Sequence, residues 1–312
     1  MSDKPNLFAA AAAGDPRAQL ALAHFMIIGR APAPNADEPA RLVRAACAQK
    51  FDEALLYQAM LAALGLAREQ NLNEAHALVA EAAALGHAGA RGQLKMLGVT
   101  RFDAEPWLAP PKLAQHATAP RIFVAENFLP REVCDWFIEQ ARGKLHGARV
   151  ATASDTTAVG DRRTNSVAGS SMLEPDLVMQ LTRLRIAGAL DLSAEQLEPS
   201  NVLRYEVGQE YGPHYDVIRP EEGQNFEAEL RTIGQRCATV LVYLNEGYEG
   251  GETEFPRLRL RFKGKPGDAL IFWNLSTDNA LERDSLHAGL PVTRGEKWLL
   301  SQWVRERPLP LR

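Results

Sequence analysis

The stretch Val202-Leu-Arg-Tyr205-Glu-Val-Gly-Gln-Glu-Tyr211-Gly-Pro-His214-Tyr-Asp216 is the point from which the chain is best read. This part of the chain is strand-dominated, with one strand predicted over 201–207 and a second over 214–218. Side chains two apart in a strand share a face, so His214 and Asp216 can reach one metal ion together. Of the other histidines, His24, His76 and His87 fall in an alanine-rich first third, His116 in a proline-rich stretch, and His146 after a helix end. His287 alone joins His214 near a strand start in the second half. Two imidazoles and one carboxylate occupy one face of an octahedron and leave three positions open.

Ten residues past His287 stands Lys297, in Arg294-Gly-Glu-Lys297-Trp298, at the head of the apolar run Trp298-Leu-Leu-Ser-Gln-Trp303. A lysine in such a strand needs an anionic partner, because burying a bare ammonium is costly. Lys297 and Trp303 lie an even number of residues apart and share a face, as do Thr239, Leu241 and Tyr243 on a preceding strand. A metal, an ammonium and a tyrosine hydroxyl converging on one cavity suit a small dicarboxylate, chelated at one end and ion-paired at the other. Further strands are predicted over 238–244, 258–263, 269–273, 285–292 and 297–304, with turns at Glu249-Gly250-Gly251 and Pro266-Gly267-Asp268. Short strands at this spacing predict a sandwich or jelly roll.

The first hundred residues have a different grammar: 28 alanines and none of the five tryptophans. At a period of 36 residues, Ala12, Ala48 and Ala84 coincide, as do Ala18, Ala54 and Ala90, and Phe25, Leu61 and Leu97. Gly29 falls on Gly65, and Gly14 on Gly86 with Lys50 between them. Alanine favours helix and close packing, and a fixed period of this size marks stacked helical hairpins. The pattern AAAAGDPRAQLALAHFMIIG, residues 10–29, resembles Sel1-like repeats, relatives of the tetratricopeptide class. Pro106, Pro110, Pro111 and Pro120 then mark a linker. A helix opens near Pro130 with Cys134, Phe137, Ile138 and Ala141 on one stripe. Residues 150–171 read as a mobile loop, 175–190 as a second helix, and 217–236 as a lid. The expected organisation is α+β: an N-terminal α-helical repeat segment (1–99), a linker (100–119), and a double-stranded β-helix or jelly-roll catalytic domain with flanking helices (120–312).

The second half is similar to the prolyl 4-hydroxylase branch of the Fe(II)/2-oxoglutarate dioxygenases. The resemblance rests on the stretch quoted above, with Thr239-Val-Leu-Val-Tyr243-Leu-Asn, Gly250-Gly-Glu-Thr-Glu-Phe-Pro256 and Lys265-Pro-Gly-Asp-Ala-Leu-Ile-Phe272. His287-Ala-Gly-Leu-Pro-Val, Lys297-Trp298 and the entry Pro120-Arg-Ile-Phe-Val-Ala-Glu-Asn-Phe-Leu-Pro130 complete it, in family order. It implies Fe(II) held by His214, Asp216 and His287, and 2-oxoglutarate paired through its distal carboxylate with Lys297. Tyr205 or Tyr243 would add a hydroxyl, and Trp303 would join the cosubstrate wall. Lys297 and the three ligands are then the catalytic set, with O2 as second cosubstrate and ascorbate as the reductant that keeps iron ferrous. Succinate and CO2 leave as the substrate is hydroxylated. Relatives that halogenate leave the carboxylate position to chloride, whereas Asp216 fills it here. Arg163, in Arg163-Thr164-Asn165, and Tyr211 would face the substrate, a prolyl residue of a peptide or protein that the helical repeats would help to hold.

Composition narrows the field further. A charge sum of 35 − 39 = −4 lacks the basic face that neutralises phosphates, so no nucleic-acid partner is expected. No apolar run approaches the roughly 18–20 residues of a membrane span. The short run Leu7 to Ala13 ends in Gly14-Asp15-Pro16 and reads as a helix, not a signal peptide. Cys47, Cys134 and Cys237 lie far apart, as thiols of a reducing compartment do, and a cytoplasmic location is the expectation. Two other functions compete: a repeat adaptor whose jelly roll is a degenerate scaffold, and a cupin-like metalloenzyme that does not use 2-oxoglutarate.

Overall fold

The computed structural model describes residues 7–66, 68–99, 101–148, 163–218 and 226–310. They fall into two compact units, one drawn from Met1–Ala109 and Leu173–Arg185, the other from Pro110–Met172 and Ile186–Leu309. This division differs from the partition at 99 and 119, because a segment from the middle of the β-rich half joins the helical unit.

The helical unit runs α1 (Leu7–Ala12), α2 (Pro16–Ile27), α3 (Glu38–Ala48), α4 (Asp52–Leu64), α5 (Leu72–Ala84), α6 (Ala88–Leu97) and α7 (Glu105–Leu108). From α1 to α6 each helix packs on the next in chain order, the quasi-linear arrangement of stacked hairpins. Their alanines allow close approach, around a core of Leu22, Met26, Leu42, Val43, Tyr57, Met60 and Leu61. Helix starts are capped locally: Asp15 accepts from the amides of Arg17 and Ala18, Asn71 from Glu74, and His87 from Ala90. The period of 36 has a backbone counterpart. Gly14 and Gly86 hold φ of 94° and 109°, and Lys50, the residue between them in the repeat, holds φ 57° although it carries a Cβ.

In the second unit follow β1 (Ala114–Thr118), β2 (Arg121–Ala125), α8 (Arg131–Arg142), β3 (His146–Gly147) and β4 (Ser166–Gly169). α9 (Leu177–Leu190) crosses the boundary between the units. Next are β5 (Asn201–Tyr205), β6 (Tyr211–His214), α10 (Phe226–Ile233), β7 (Arg236–Tyr243), β8 (Glu249–Gly250), β9 (Thr253–Phe255) and β10 (Leu260–Phe262). β11 (Ala269–Trp273), β12 (His287–Gly289), β13 (Val292–Arg294) and β14 (Lys297–Arg305) close the unit.

The larger sheet has the order β1-β2-β11-β7-β14-β5-β4-β3, a smaller one the order β10-β9-β12-β6, and β13 pairs with β8. This is the jelly-roll architecture, and with the helical unit the fold is α+β. β7 and β14 lie inside the larger sheet and are buried almost throughout, which is why their sequences run apolar instead of alternating. One set of their side chains, with Tyr205, Phe255, Phe272 and Ile122, fills the core between the sheets. α8 buries Val133, Cys134, Trp136, Phe137, Ile138 and Ala141. Among the described residues no helix is long and apolar enough to cross a membrane.

Several local expectations need correction. The segment taken as a linker contains α7 and β1, and β1 pairs with β2. Of the loop expected over 150–171, residues 150–162 lie outside the described residues, while Ser166–Gly169 forms β4 against β5. Of the lid expected over 217–236, residues 219–225 lie outside the described residues, and 226–233 is helical. The strand placed at 214–218 is instead Tyr211–His214, so Asp216 lies just past its end.

Candidate active site

β12 and β6 are antiparallel neighbours in the smaller sheet, and their register sets His287 directly opposite His214. The two rings lie 4.2 Å apart. Asp216, in the bend after β6, turns its carboxylate between them: Oδ1 is 3.6 Å from His214 Nε2, and Oδ2 is 3.6 Å from His287 Nε2. One donor atom from each of the three falls within 4.8 Å of the others. The shared reach expected of an i, i+2 pair in a strand is thus obtained by a bend instead.

Tautomers follow from the second ring nitrogens. His214 Nδ1 is 2.8 Å from the Gly212 carbonyl, and His287 Nδ1 is 3.0 Å from the Ser285 carbonyl. A carbonyl only accepts, so each Nδ1 carries a proton, and in the neutral ring each Nε2 turns a lone pair toward Asp216. Burial pushes His287 down to about 4, the neighbouring His214 ring disfavours a second positive charge, and Asp216 opposes both. Burial alone would raise the Asp216 carboxyl, but His287, His214 and the Thr239 hydroxyl outweigh it and hold it well below the usual range. Two imidazole Nε2 atoms and an ionised carboxylate, 96% and 95% buried at His287 and Asp216, therefore converge. Such a donor set fits a divalent cation. With bonds of about 2.1 Å, neighbouring ligands stand roughly 3 Å apart, close to the 3.6 Å seen here.

The cleft around the triad is lined by Arg163, Tyr205, Tyr211, Leu241, Thr253, Lys297 and Trp303, among others. Lys297 opens β14 opposite Tyr205 of β5. It is 1% exposed, and its Nζ donates to the Gly251 carbonyl at 2.6 Å. No carboxylate forms an ion pair with it among the described residues. Burial pushes the ammonium down to about 7, with Lys263 adding to the shift and Glu252 opposing it. Gly251 makes this approach: at φ 69°, an added Cβ would stand 3.2 Å from Lys297 Cδ. The Tyr205 hydroxyl makes no hydrogen bond among the described residues, whereas Tyr243 spends its hydroxyl on Thr253 Oγ1 and the Phe262 carbonyl. Of the two tyrosines expected to offer a hydroxyl, Tyr205 lines the cleft and Tyr243 does not. Trp303 forms a wall and carries the Arg236 guanidinium on its ring at 3.6 Å. Tyr211 stacks on His214 at 3.5 Å, and buried Arg163 lies 4.7 Å over the Tyr211 ring.

Thr239, expected only on a strand face, and Asn274 and Arg236, for which the sequence carries no expectation, also belong to this site. Thr239 donates to Asp216 Oδ2 at 2.6 Å, and Asn274 Nδ2 donates to Thr239 Oγ1 at 3.1 Å. Arg236 reaches the Asp216 carbonyl at 3.4 Å. None of these contacts leaves a periodic or motif signal, because each joins residues more than fifteen apart.

A facial triad on a jelly roll, beside a buried lysine lacking a carboxylate, defines a non-haem metal oxygenase architecture. Residues 200–305 match the 2OG-Fe(II) oxygenase superfamily. The chain is 35% identical over 205 residues to a probable prolyl 4-hydroxylase 3 of Arabidopsis thaliana, covering 59% of this chain and 69% of that one. It is 34% identical over 206 residues to a probable prolyl 4-hydroxylase 10 of the same plant, at 60% and 69% coverage. A solved structure of the viral collagen prolyl hydroxylase from Paramecium Bursaria Chlorella virus-1 aligns at 28% identity with a TM-score of 0.45, covering 59% of this chain and 95% of that one. The chain belongs to the prolyl 4-hydroxylase family.

Proposed function

We propose that this protein hydroxylates a prolyl residue of a peptide or protein, using Fe(II), 2-oxoglutarate and O2. The observation that carries the reading is Lys297: a buried ammonium without a carboxylate partner, in the same cleft as three converging metal donors. His214, Asp216 and His287 would hold the iron, and Lys297 with the Tyr205 hydroxyl would receive the far carboxylate of 2-oxoglutarate. When bound, iron and the keto acid supply oxidative decarboxylation to succinate and CO2, which drives oxygen insertion into a C–H bond.

The protein's own part is binding, orientation and exclusion of water. The free space in the cleft is about 30 Å³, room for a couple of waters. An arriving carboxylate favours the protonated form of Lys297, so ligand binding takes up a proton wherever the free lysine is partly neutral. Trp303, held by Arg236, would keep the cosubstrate wall in place. Arg163 and Tyr211 would face the substrate backbone, with ascorbate restoring ferrous iron after uncoupled turnovers.

The helical unit, read as Sel1-like repeats, would hold the client. It contains a cleft of about 520 Å³ with an apolar floor of Ile27, Val43, Leu61 and Leu66 and polar walls including Arg44 and Gln58. A cytoplasmic location goes with this reading. The test is succinate formation and a +16 Da product from proline-containing peptides, with Fe(II) and 2-oxoglutarate. Turnover should vanish in His287→Ala. Anaerobic activity independent of 2-oxoglutarate would defeat the proposal.

A further inference from the structure

Each of the three donors has an outer partner, but they are of two kinds. The histidines lean on the carbonyls of Gly212 and Ser285, which no substitution removes. Asp216 lies past the end of β6, where no ladder fixes it, and its carboxylate is held by side chains: Thr239 on β7 and, behind it, Asn274 one residue beyond β11.

Proton counting fixes the direction of this chain. An ionised carboxylate only accepts, so the single Thr239 proton goes to Asp216 Oδ2. Thr239 Oγ1 must then accept from Asn274, which orients the amide with Nδ2 toward the hydroxyl. A hydroxyl with its lone pair engaged and its proton committed has no other rotamer of equal energy. Asn274 is itself anchored through its main chain: its backbone N–H donates to the Cys237 carbonyl at 2.8 Å, and its backbone carbonyl accepts from the Glu282 N–H at 3.0 Å. Asn274 Oδ1 is fully buried and has no hydrogen-bond partner among the described residues. A buried acceptor without a partner is unfavourable, so stability alone gives no reason for an amide at this position. The amide's remaining contribution is its donor.

We infer that Asn274 and Thr239 are positioning residues, which pin one carboxylate oxygen of Asp216 and leave the other directed at the metal. The inference rests on the metal site proposed above. Its consequence is that metal affinity depends on two residues that are not ligands. Loss of such an outer partner typically lowers metal affinity by 10–100-fold.

The experiment is a titration of the full-length apoprotein with Co(II), without 2-oxoglutarate or peptide, following the visible d–d bands and the dissociation constant. It compares the parent with Thr239→Val, Thr239→Ser, Asn274→Ala and His287→Ala, each checked for folding by circular dichroism. Thr239→Val keeps the shape and removes the hydroxyl; it should weaken Co(II) binding at least 10-fold and alter the bands. Thr239→Ser restores the donor and should bind within about threefold of the parent, with Asn274→Ala in between. Co(II) affinity of Thr239→Val within threefold of the parent overturns the inference while leaving the metal site standing. So does a Thr239→Ser as weak as Thr239→Val. Failure of the parent to bind Co(II) any better than His287→Ala overturns the metal reading and this inference with it.

Discussion

Replacing Lys297 by methionine should make the ligand-free protein more stable in acid and less stable in alkali. Methionine keeps the length of the stem and removes the charge. The lysine titrates near 10.5 when unfolded and is pushed down to about 7 in the fold, so the unfolded chain binds more protons between those values. Stability of the parent therefore rises with pH across that window, and the penalty of the buried charge is complete below it. A shift of this size is worth about 5 kcal/mol at pH 6 and about 1 kcal/mol at pH 10. Against it stands the 2.6 Å bond to the Gly251 carbonyl, whose loss costs about 1–2 kcal/mol at any pH. Lys297→Met should thus gain about 3 kcal/mol at pH 6 and lose up to about 1 kcal/mol at pH 10. Urea unfolding of the metal-free proteins at pH 6, 8 and 10 reads this directly. Added 2-oxoglutarate should stabilise the Mn(II)-loaded parent well beyond Mn(II) alone, and the Mn(II)-loaded variant little beyond it. A variant less stable than the parent at pH 6, or a gain that does not shrink with pH, would refute the account of Lys297 as an uncompensated charge.

Two further outcomes are expected. Glu198 receives Arg236 through two bonds, at 2.8 and 2.9 Å, and also Arg305 Nε. Burial alone would raise its pKa, but the two guanidinium groups hold it below 4.5. Its stabilisation is whole above that value and fades as pH falls toward the lowered one; Glu198→Gln should cost about 3–5 kcal/mol at neutral pH and flatten the acid limb of a denaturant–pH series. Lys50→Gly should stabilise the helical unit by about 0.5–1 kcal/mol, because a Cβ at φ 57° is strained, with the freer unfolded glycine returning part of the gain. Thermal unfolding checks it, and a lower midpoint would mean that the backbone there is unstrained.

What the sequence made legible was what is local or periodic. β11 falls on the expected 269–273, and β14 departs from its expected end by one residue, because apolar runs between glycine turns leave little freedom. The stripe Cys134, Phe137, Ile138 and Ala141 forecast a buried helix face, and α8 buries all four. β1 was hidden because its strand is mostly exposed, with no apolar alternation to betray it. β6 starts three residues before its expected position and ends at His214, and the smaller sheet accepts Pro213 within it. Asp216 still reaches His214, but through a bend and a cross-sheet hydroxyl that no pattern in the stretch announces.

Among the described residues the cleft places Lys297 and Asp216 without an ion pair between them. A chain selected for stability alone would set Lys297 against Asp216 and cancel both. Here the carboxylate is committed to Thr239 and faces two imidazole Nε2 atoms, while the ammonium meets a backbone carbonyl and the faces of Tyr205 and Tyr243. Each end is thus left with a deficit of opposite sign. A cation relieves the first, and a carboxylate relieves the second. A ligand that chelates a metal at one end and carries an acid at the other answers both deficits at once, and either half alone answers one. Metal and keto acid should therefore stabilise the protein more together than the sum of their separate effects, because the chelate ties the two reliefs into one binding event.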